Sequence, residues 1–148
     1  MVKIRKATTG DFDAIFALEK TAFNEETEDS LKRALVSKTF NYFVLIKDDE
    51  IIGYCAINEL LGEAEILTIM VSPAYRKLGY GKLMLEKMID NAKHNGAEKL
   101  FLEVDENNTP AIKLYTSFGF SLLMKRENYY LYKDGSKADA LMMVKTLV

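Results

Sequence analysis

The sequence predicts an α/β fold, a mixed and twisted central sheet with helices on both faces and a strand–helix–strand unit at its heart. Three observations carry that expectation. Short apolar runs of strand character lie on both sides of one long segment with helical periodicity, which begins at Gly81. A glycine-containing turn joins a strand to that helix. The 148 residues, 49% hydrophobic and 28% charged, contain no linker, repeat or low-complexity stretch, so residues 1–148 read as one domain with one continuous core.

Element by element, Val2 to Ala7 alternates apolar and polar residues and reads as a strand. Thr8, Thr9 and Asp11 are N-cap candidates for a helix carrying Phe12, Ile15, Phe16, Leu18 and Ala22. An acidic stretch, Asn24 to Asp29, leads to a short helix around Ser30 to Ser37. Tyr42 to Ile46 and Ile51 to Ile57 are apolar runs either side of Lys47-Asp48-Asp49-Glu50, a hairpin. Glu65 to Val71 is the next strand. Met84, Leu85, Met88, Ile89 and Ala92 then recur at helical spacing, and Asn95-Gly96 closes that helix. Lys99 to Val104 is a strand, and Thr109-Pro110 opens a helix carrying Ile112, Leu114 and Tyr115. Phe120 to Lys125 and Ala138 to Thr146 read as two strands around a loop, Arg126 to Lys137.

Composition excludes several classes. The net charge of -2 lacks the basic excess of a nucleic-acid binder. One cysteine and one histidine allow neither an internal disulfide nor a structural metal site, so no metal is expected and a reducing compartment fits. No apolar run reaches signal-peptide or membrane-spanning length, and the chain reads as cytoplasmic. Cys55, within an apolar strand, reads as a buried inert thiol, and His94 as a favourable charge at a helix C-terminus.

The segment from Val71 to Lys82, VSPAYRKLGYGK, lies between a strand and an amphipathic helix. Gly79 and Gly81 permit a tight turn and close approach of backbone to ligand. A helix N-terminus presents unpaired N–H groups and about half a positive charge. With Arg76, Lys77 and Lys82 beside it, the turn fits a pyrophosphate; a glycine-containing helix start with solvated lysines is the alternative on residues alone. It matches neither the Walker A loop nor the three-glycine dinucleotide fingerprint.

Arg76-x-x-Gly79-x-Gly81 after a strand ending in Val71, with Ser72-Pro73 before it, resembles the acetyl-CoA motif of the GNAT superfamily of N-acetyltransferases. Leu102-Glu103-Val104, Asn107-Asn108, Ala111, Leu114-Tyr115 and Gly119-Phe120 resemble the superfamily's second signature in order and spacing. The resemblance implies the GNAT fold, with acetyl-CoA wedged where two central parallel strands splay apart. It places the cofactor on the strand edge of Ile69, Met70 and Val71, on the turn Arg76, Lys77, Leu78, Gly79, Tyr80, Gly81 and Lys82, and on Asn108 and Tyr115.

Acetyl transfer needs a neutral amine, a polarised thioester carbonyl and a proton for the departing thiolate. A protein α-amine, with a reference pKa of about 7.7–8.0, is roughly a tenth to a fifth neutral at pH 7, whereas lysine is almost wholly charged. Glu103, near the end of an apolar strand where desolvation would favour its protonation, is the candidate base; an outward-facing strand glutamate is the alternative. Tyr115 is the candidate acid, with core packing as the alternative. Both match the base and acid positions of the RimI (ribosomal-protein alanine N-acetyltransferase) type of the superfamily.

Tyr129-Tyr130, Asp134-Gly135 and Asp139-Ala140 resemble the tail of that type and of archaeal and eukaryotic N-terminal acetyltransferases, whose aromatic loop closes over the peptide. The resemblance makes a protein or peptide N-terminus, a ribosomal protein's among them, the expected substrate, met by Phe23, Asn24, Glu25, Tyr129, Tyr130 and Asp139. Ala22-Phe23-Asn24-Glu25-Glu26 departs from the Pro-Trp of the bacterial type, and Ser136-Lys137 also departs. The first of these departures leaves the preferred first residue open. Glu25, Glu26, Glu28 and Asp29 read as a solvated acidic face or as partners of a cationic substrate. An acetyltransferase of small amines and a non-catalytic acetyl-CoA-binding subunit are the competing expectations.

Overall fold

The computed structural model describes residues 1–21 and 27–148. In chain order the elements are β1 (Val2–Lys6), a 3-10 turn (Thr9–Asp11) running into α1 (Phe12–Thr21), α2 (Glu28–Val36), β2 (Phe40–Lys47), β3 (Glu50–Leu60) and β4 (Glu63–Val71). A second 3-10 turn (Pro73–Tyr75) leads to α3 (Tyr80–His94), followed by β5 (Lys99–Asp105), α4 (Thr109–Ser117), β6 (Ser121–Leu131) and β7 (Lys137–Thr146). The strands form one seven-stranded sheet in the order β1-β2-β3-β4-β5-β7-β6. All neighbours run antiparallel except β4 and β5, as the expected mixed sheet requires.

Local chemistry explains the boundaries. Asp11 locks the start of α1, accepting from the Thr8 amide at 2.8 Å and from the Arg5 guanidinium at 2.7 and 3.0 Å. Thr27 caps α2 by accepting from the Ser30 amide at 3.1 Å. Glu28 and Asp29 then sit in the first turn, where the positive end of the helix dipole favours them, which accounts for that part of the acidic run. Asp48 and Asp49, at φ 50 and 63, make the two-residue hairpin turn between β2 and β3. Leu61-Gly62 repeats the device between β3 and β4, a hairpin the sequence reading passed over because it began β4 at Glu65.

Two apolar clusters flank the sheet. On one face, Met84, Leu85, Met88, Ile89 and Ala92 of α3 pack against Ala64 and Ile66 of β4 and Leu100, Leu102 and Val104 of β5. On the other, Ile15 and Leu18 of α1 and Leu31 and Ala34 of α2 cover Tyr42, Val44 and Ile46 of β2 and Tyr54 and Ala56 of β3. That second cluster draws no buried residue from β5, β6 or β7. Among the described residues, neither α1 nor α2 therefore brings its core over the face bearing Phe101 and Glu103.

The tail differs from expectation. Arg126 to Leu131 is not loop but the outer half of β6, so the connection to β7 is only the turn around Asp134-Gly135. Extra residues between Arg126 and Tyr130 are absorbed as an irregularity in the ladder. Asn128 there takes φ 53 and donates its amide to Asp139 on β7 at 2.8 Å, so the bulge is held by a side chain.

Candidate active site

β4 and β5 pair only from Glu63 opposite Lys99 to Ile66 opposite Leu102. Beyond that point the two strands part. The departure coincides with a register shift against β3, where Ile66 opposes Ile57 and Thr68 opposes Ala56, leaving Leu67 as an extra residue. Such a bulge bends and twists its strand, and here it turns β4 away from β5. The opened wedge is a cleft of about 380 Å³ lined by Ile66, Leu67, Thr68 and Ile69 of β4, Leu102, Glu103, Val104 and Asp105 of β5, Asn108 and Tyr115 of α4, and Tyr130 of β6. Backbone amides and carbonyls along that stretch of β4 face the wedge without a β5 partner. Of the three residues expected on this strand edge, Ile69 lines the cleft; the side chains of Met70 and Val71 pack into the two cores. The Val71 carbonyl accepts from Arg76 Nε at 3.2 Å.

The glycine turn lies at the C-terminal end of β4. Gly79 is the N-cap of α3 with φ 86, a left-handed conformation that side chains resist, and Lys77 shares it at φ 63. Nothing lies within 4 Å of where a Gly79 Cβ would stand, so the protein leaves that space over the helix end vacant. Arg76, Lys77, Leu78 and Lys82 are exposed around it, whereas the Tyr80 ring packs partly into the core. Unpaired N–H groups, a positive helix end and mobile cations in open space can hold a pyrophosphate.

Tyr115 reaches the cleft from α4 with its ring edge on Phe120, centroids 5.9 Å apart. Burial raises its phenol above the ordinary value of 10.0, so it stays protonated at neutral pH and can donate. Asn108 accepts from the Ala111 amide at 3.3 Å, capping α4, which leaves its amide nitrogen as the donor it can offer. Glu103 points to the open face with its side chain only 15% exposed.

Glu103 does not stand alone on that face. Arg126 Nε lies 3.3 Å from Glu103 Oε1, and the same guanidinium sits over the Tyr129 ring at 5.4 Å. Tyr130 lines the cleft, its phenol pushed up to about 12 by burial and then by the negative charge of Glu103. Tyr129 stands outside the cleft, edge-on to Tyr130 at 5.2 Å and half exposed, so the tyrosine pair divides into one lining residue and one supporting residue. Tyr132 donates to Asp105, tying the hairpin to the end of β5. Asp139 has both oxygens engaged within the chain, one by the Asn128 amide and one by Lys125 at 3.2 Å, so it shapes the β6–β7 hairpin rather than facing the cleft.

Phe23, Asn24 and Glu25 lie outside the described residues. Cys55 is fully buried, its thiol pushed up to about 12 by desolvation, and takes no part in the cleft. Sequence reasoning missed Glu65, Arg126 and the Leu67 bulge. Arg126 was hidden by its placement in a loop, and Leu67 by the unbroken apolar run around it. Glu65 carried a signal in strand alternation, which puts it on the same face as its partner Phe101 and hence as Glu103. Among the described residues no cluster of His, Cys, Asp or Glu can hold a metal ion, and no helix is long and apolar enough to cross a membrane.

A splayed parallel pair, a helix start that can receive an anion and a buried phenol at the throat together suit acyl transfer from a CoA thioester. The sequence profile of the acetyltransferase (GNAT) family matches residues 11–120, and the chain belongs to that family. It is an acyltransferase, and its cofactor is acetyl-CoA. The chain is 34% identical over 136 residues to the [ribosomal protein bS18]-alanine N-acetyltransferase of Haemophilus ducreyi, covering 90% of this chain and 92% of that one. It is 31% identical over 143 residues to the enzyme of that name from Escherichia coli K12, covering 97% and 96%. The crystal structure of the ribosomal-protein-S18-alanine N-acetyltransferase from Escherichia coli superposes with a TM-score of 0.92 at 30% identity, covering 99% of this chain and 94% of that one. A Salmonella typhimurium protein solved with its cofactor acetyl-CoA shares the fold at a TM-score of 0.88 and 19% identity, covering 100% of this chain and 95% of that one.

Proposed function

We propose that this chain transfers the acetyl group of acetyl-CoA to the α-amine of protein N-termini, with a ribosomal protein's N-terminus as the first substrate to test, in the cytoplasm. The observation that carries the reading is the single cleft at the β4–β5 splay into which Glu103 projects from the open sheet face and Tyr115 from α4. Bacterial relatives named for alanine N-acetylation of a ribosomal protein support the choice of substrate.

The Gly79–Gly81 turn with Arg76, Lys77 and Lys82 would hold the pyrophosphate of acetyl-CoA, and the free β4 edge and Asn108 would hold its arm. Bound there, acetyl-CoA would supply a thioester carbonyl for attack at the throat. The α-amine arrives over the open face beside Tyr130, and its nitrogen attacks the carbonyl carbon. Glu103 draws off the amine proton, directly or through water. Unpaired β4 amides stabilise the oxyanion. As the tetrahedral intermediate collapses, the C–S bond breaks, and Tyr115 hands its proton to the thiolate. Because a protein α-amine is already roughly a tenth to a fifth neutral at pH 7, the base has modest work to do.

A panel of peptides with varied first residues, and blocked peptides carrying an internal lysine, tests this with acetyl-CoA. Transfer to free N-termini that is lost in Glu103→Gln is the expected result. Silence on every peptide with transfer to polyamines or amino acids would replace the reading with small-amine acetylation. Acetyl-CoA binding with no transfer to any amine would leave a binding subunit.

A further inference from the structure

On the open sheet face, beside the throat, Glu65 projects from β4. Its ladder partners, Asn58 on β3 and Phe101 on β5, are uncharged. The charged groups acting on it are Glu103 on β5 and Arg126 on β6. Residues Ile66 and Leu67, which follow it, line the cleft itself, while Glu65 lines a neighbouring hollow with Phe101 and Met142. Two carboxylates and one guanidinium thus share the entrance to the splay. Arg126 makes its ion pair with Glu103 at 3.3 Å, so Glu65 is the carboxylate left with no ion pair among the described residues.

We propose that Glu65 is a specificity-determining residue beside this cleft, capturing the incoming amine in its ammonium form and holding it near Glu103 until one proton passes to water, after which the neutral nitrogen attacks and Glu103 takes the second. The inference rests on the N-terminal reading above and names the charge state in which the substrate is recognised. Two ionised carboxylates against one guanidinium leave one net negative charge at the entrance, and an ammonium ion cancels it. Burial and the nearby Glu103 charge raise the Glu65 carboxyl above its ordinary 4.5 against the opposing Arg126 charge, and an arriving cation acts in the same direction as Arg126. A neutral amine gains nothing from the same carboxylate.

Charge capture has a pH signature that a packing role lacks. Calorimetric titration of the CoA-loaded chain with a lysine-free peptide bearing a free N-terminus compares the chain with Glu65→Gln and Glu65→Asp. At about pH 7, where the α-amine is mostly protonated, Glu65→Gln should weaken binding about tenfold, the scale of one charge-assisted hydrogen bond. At about pH 9.5, where the α-amine is mostly neutral, the variant and the parent should bind alike. Glu65→Asp should keep most of the affinity at the lower pH, and a peptide whose α-amine is replaced by hydroxyl should not distinguish the three proteins. Weakening of equal size at both pH values, or none at pH 7, overturns the proposal. Acetylation of the same peptide is followed in parallel. Binding that depends on Glu65 without transfer refutes N-terminal acetylation while ammonium capture stands, and transfer without Glu65 dependence does the reverse. No peptide binding at all overturns both.

Discussion

Replacing Gly79 by alanine separates what the turn costs the fold from what it offers the cofactor. Gly79 sits at φ 86 as the N-cap of α3, and a Cβ there would meet nothing within 4 Å. The penalty is therefore backbone strain alone, about 1–2 kcal/mol for an L-residue in the left-handed region. In a chain of this size that lowers Tm by roughly 2–8 °C. The cofactor suffers separately, because the methyl group occupies the space over the helix end. If it blocks one hydrogen bond from the helix end to a phosphate, worth about 1.5–3 kcal/mol, acetyl-CoA binds about ten- to a hundredfold more weakly. Thermal unfolding across an acetyl-CoA titration reads both quantities, since the stabilisation by ligand follows RT ln(1 + [L]/Kd). Lys77→Gly is the control of opposite sign, since it removes a side chain held at φ 63 and should raise Tm. A Gly79→Ala protein with the parent's Tm, or with the parent's acetyl-CoA affinity, refutes the argument.

Tyr115→Phe keeps the ring edge on Phe120 and should unfold like the parent, yet kcat for peptide acetylation should fall at least about 100-fold with acetyl-CoA affinity unchanged. Unaltered kcat would place the proton donor elsewhere. Tyr54→Phe removes the 2.8 Å bond from its hydroxyl to the buried Glu19 carboxylate, which ties β3 to α1. A loss of about 1.5–3 kcal/mol is expected, visible in denaturant unfolding as a lower midpoint at unchanged slope. Asp11→Asn gives a pH-dependent result. Hydrogen bonds from Arg5 hold the Asp11 carboxyl below its ordinary 3.8, so its contribution is fully present above that value and disappears as pH falls through the depressed native one. The Tm gap between variant and parent should be constant at neutral pH and close under acid, and a gap that survives at pH about 2 contradicts the assignment.

Much of this architecture was legible because period and punctuation agreed. Met84, Leu85, Met88, Ile89 and Ala92 all fall on the buried face of α3, and Asp48-Asp49 turns where the apolar runs break. The turn before α3 was legible for the same reason, since Gly79 and Gly81 stand between a strand and an amphipathic helix. Failures came where tertiary pairing overrode local pattern. Arg126 to Asn128 is polar enough to read as loop, yet Asp139 across the ladder holds it in β6. Leu67 sits inside EILTIMV with no glycine or proline to announce a bulge, and only the mismatch with β3 creates it. Arg126 could not be placed beside Glu103 without that strand, so the ion pair at the entrance was invisible along with it.

The position of the site follows from the one departure from antiparallel pairing. Antiparallel neighbours joined by short turns hold each other in register from end to end, as β2 and β3 do through Asp48-Asp49. A parallel pair has no such turn, because α3 must carry the chain from the end of β4 back to the start of β5. Four residue pairs hold these strands together at the β5 N-terminus, and beyond Ile66 and Leu102 nothing pins one to the other. The bulge at Leu67 then turns β4 aside. That crossover also delivers the N-terminus of α3 to the same end of the sheet as the opening. Free strand edge and helix N-terminus, the two anion- and amide-binding features of backbone, are thereby set at opposite ends of a single stretch, Leu67 to Gly79. An extended ligand with a phosphate at one end and a hydrogen-bonding amide arm at the other is the shape that stretch fits.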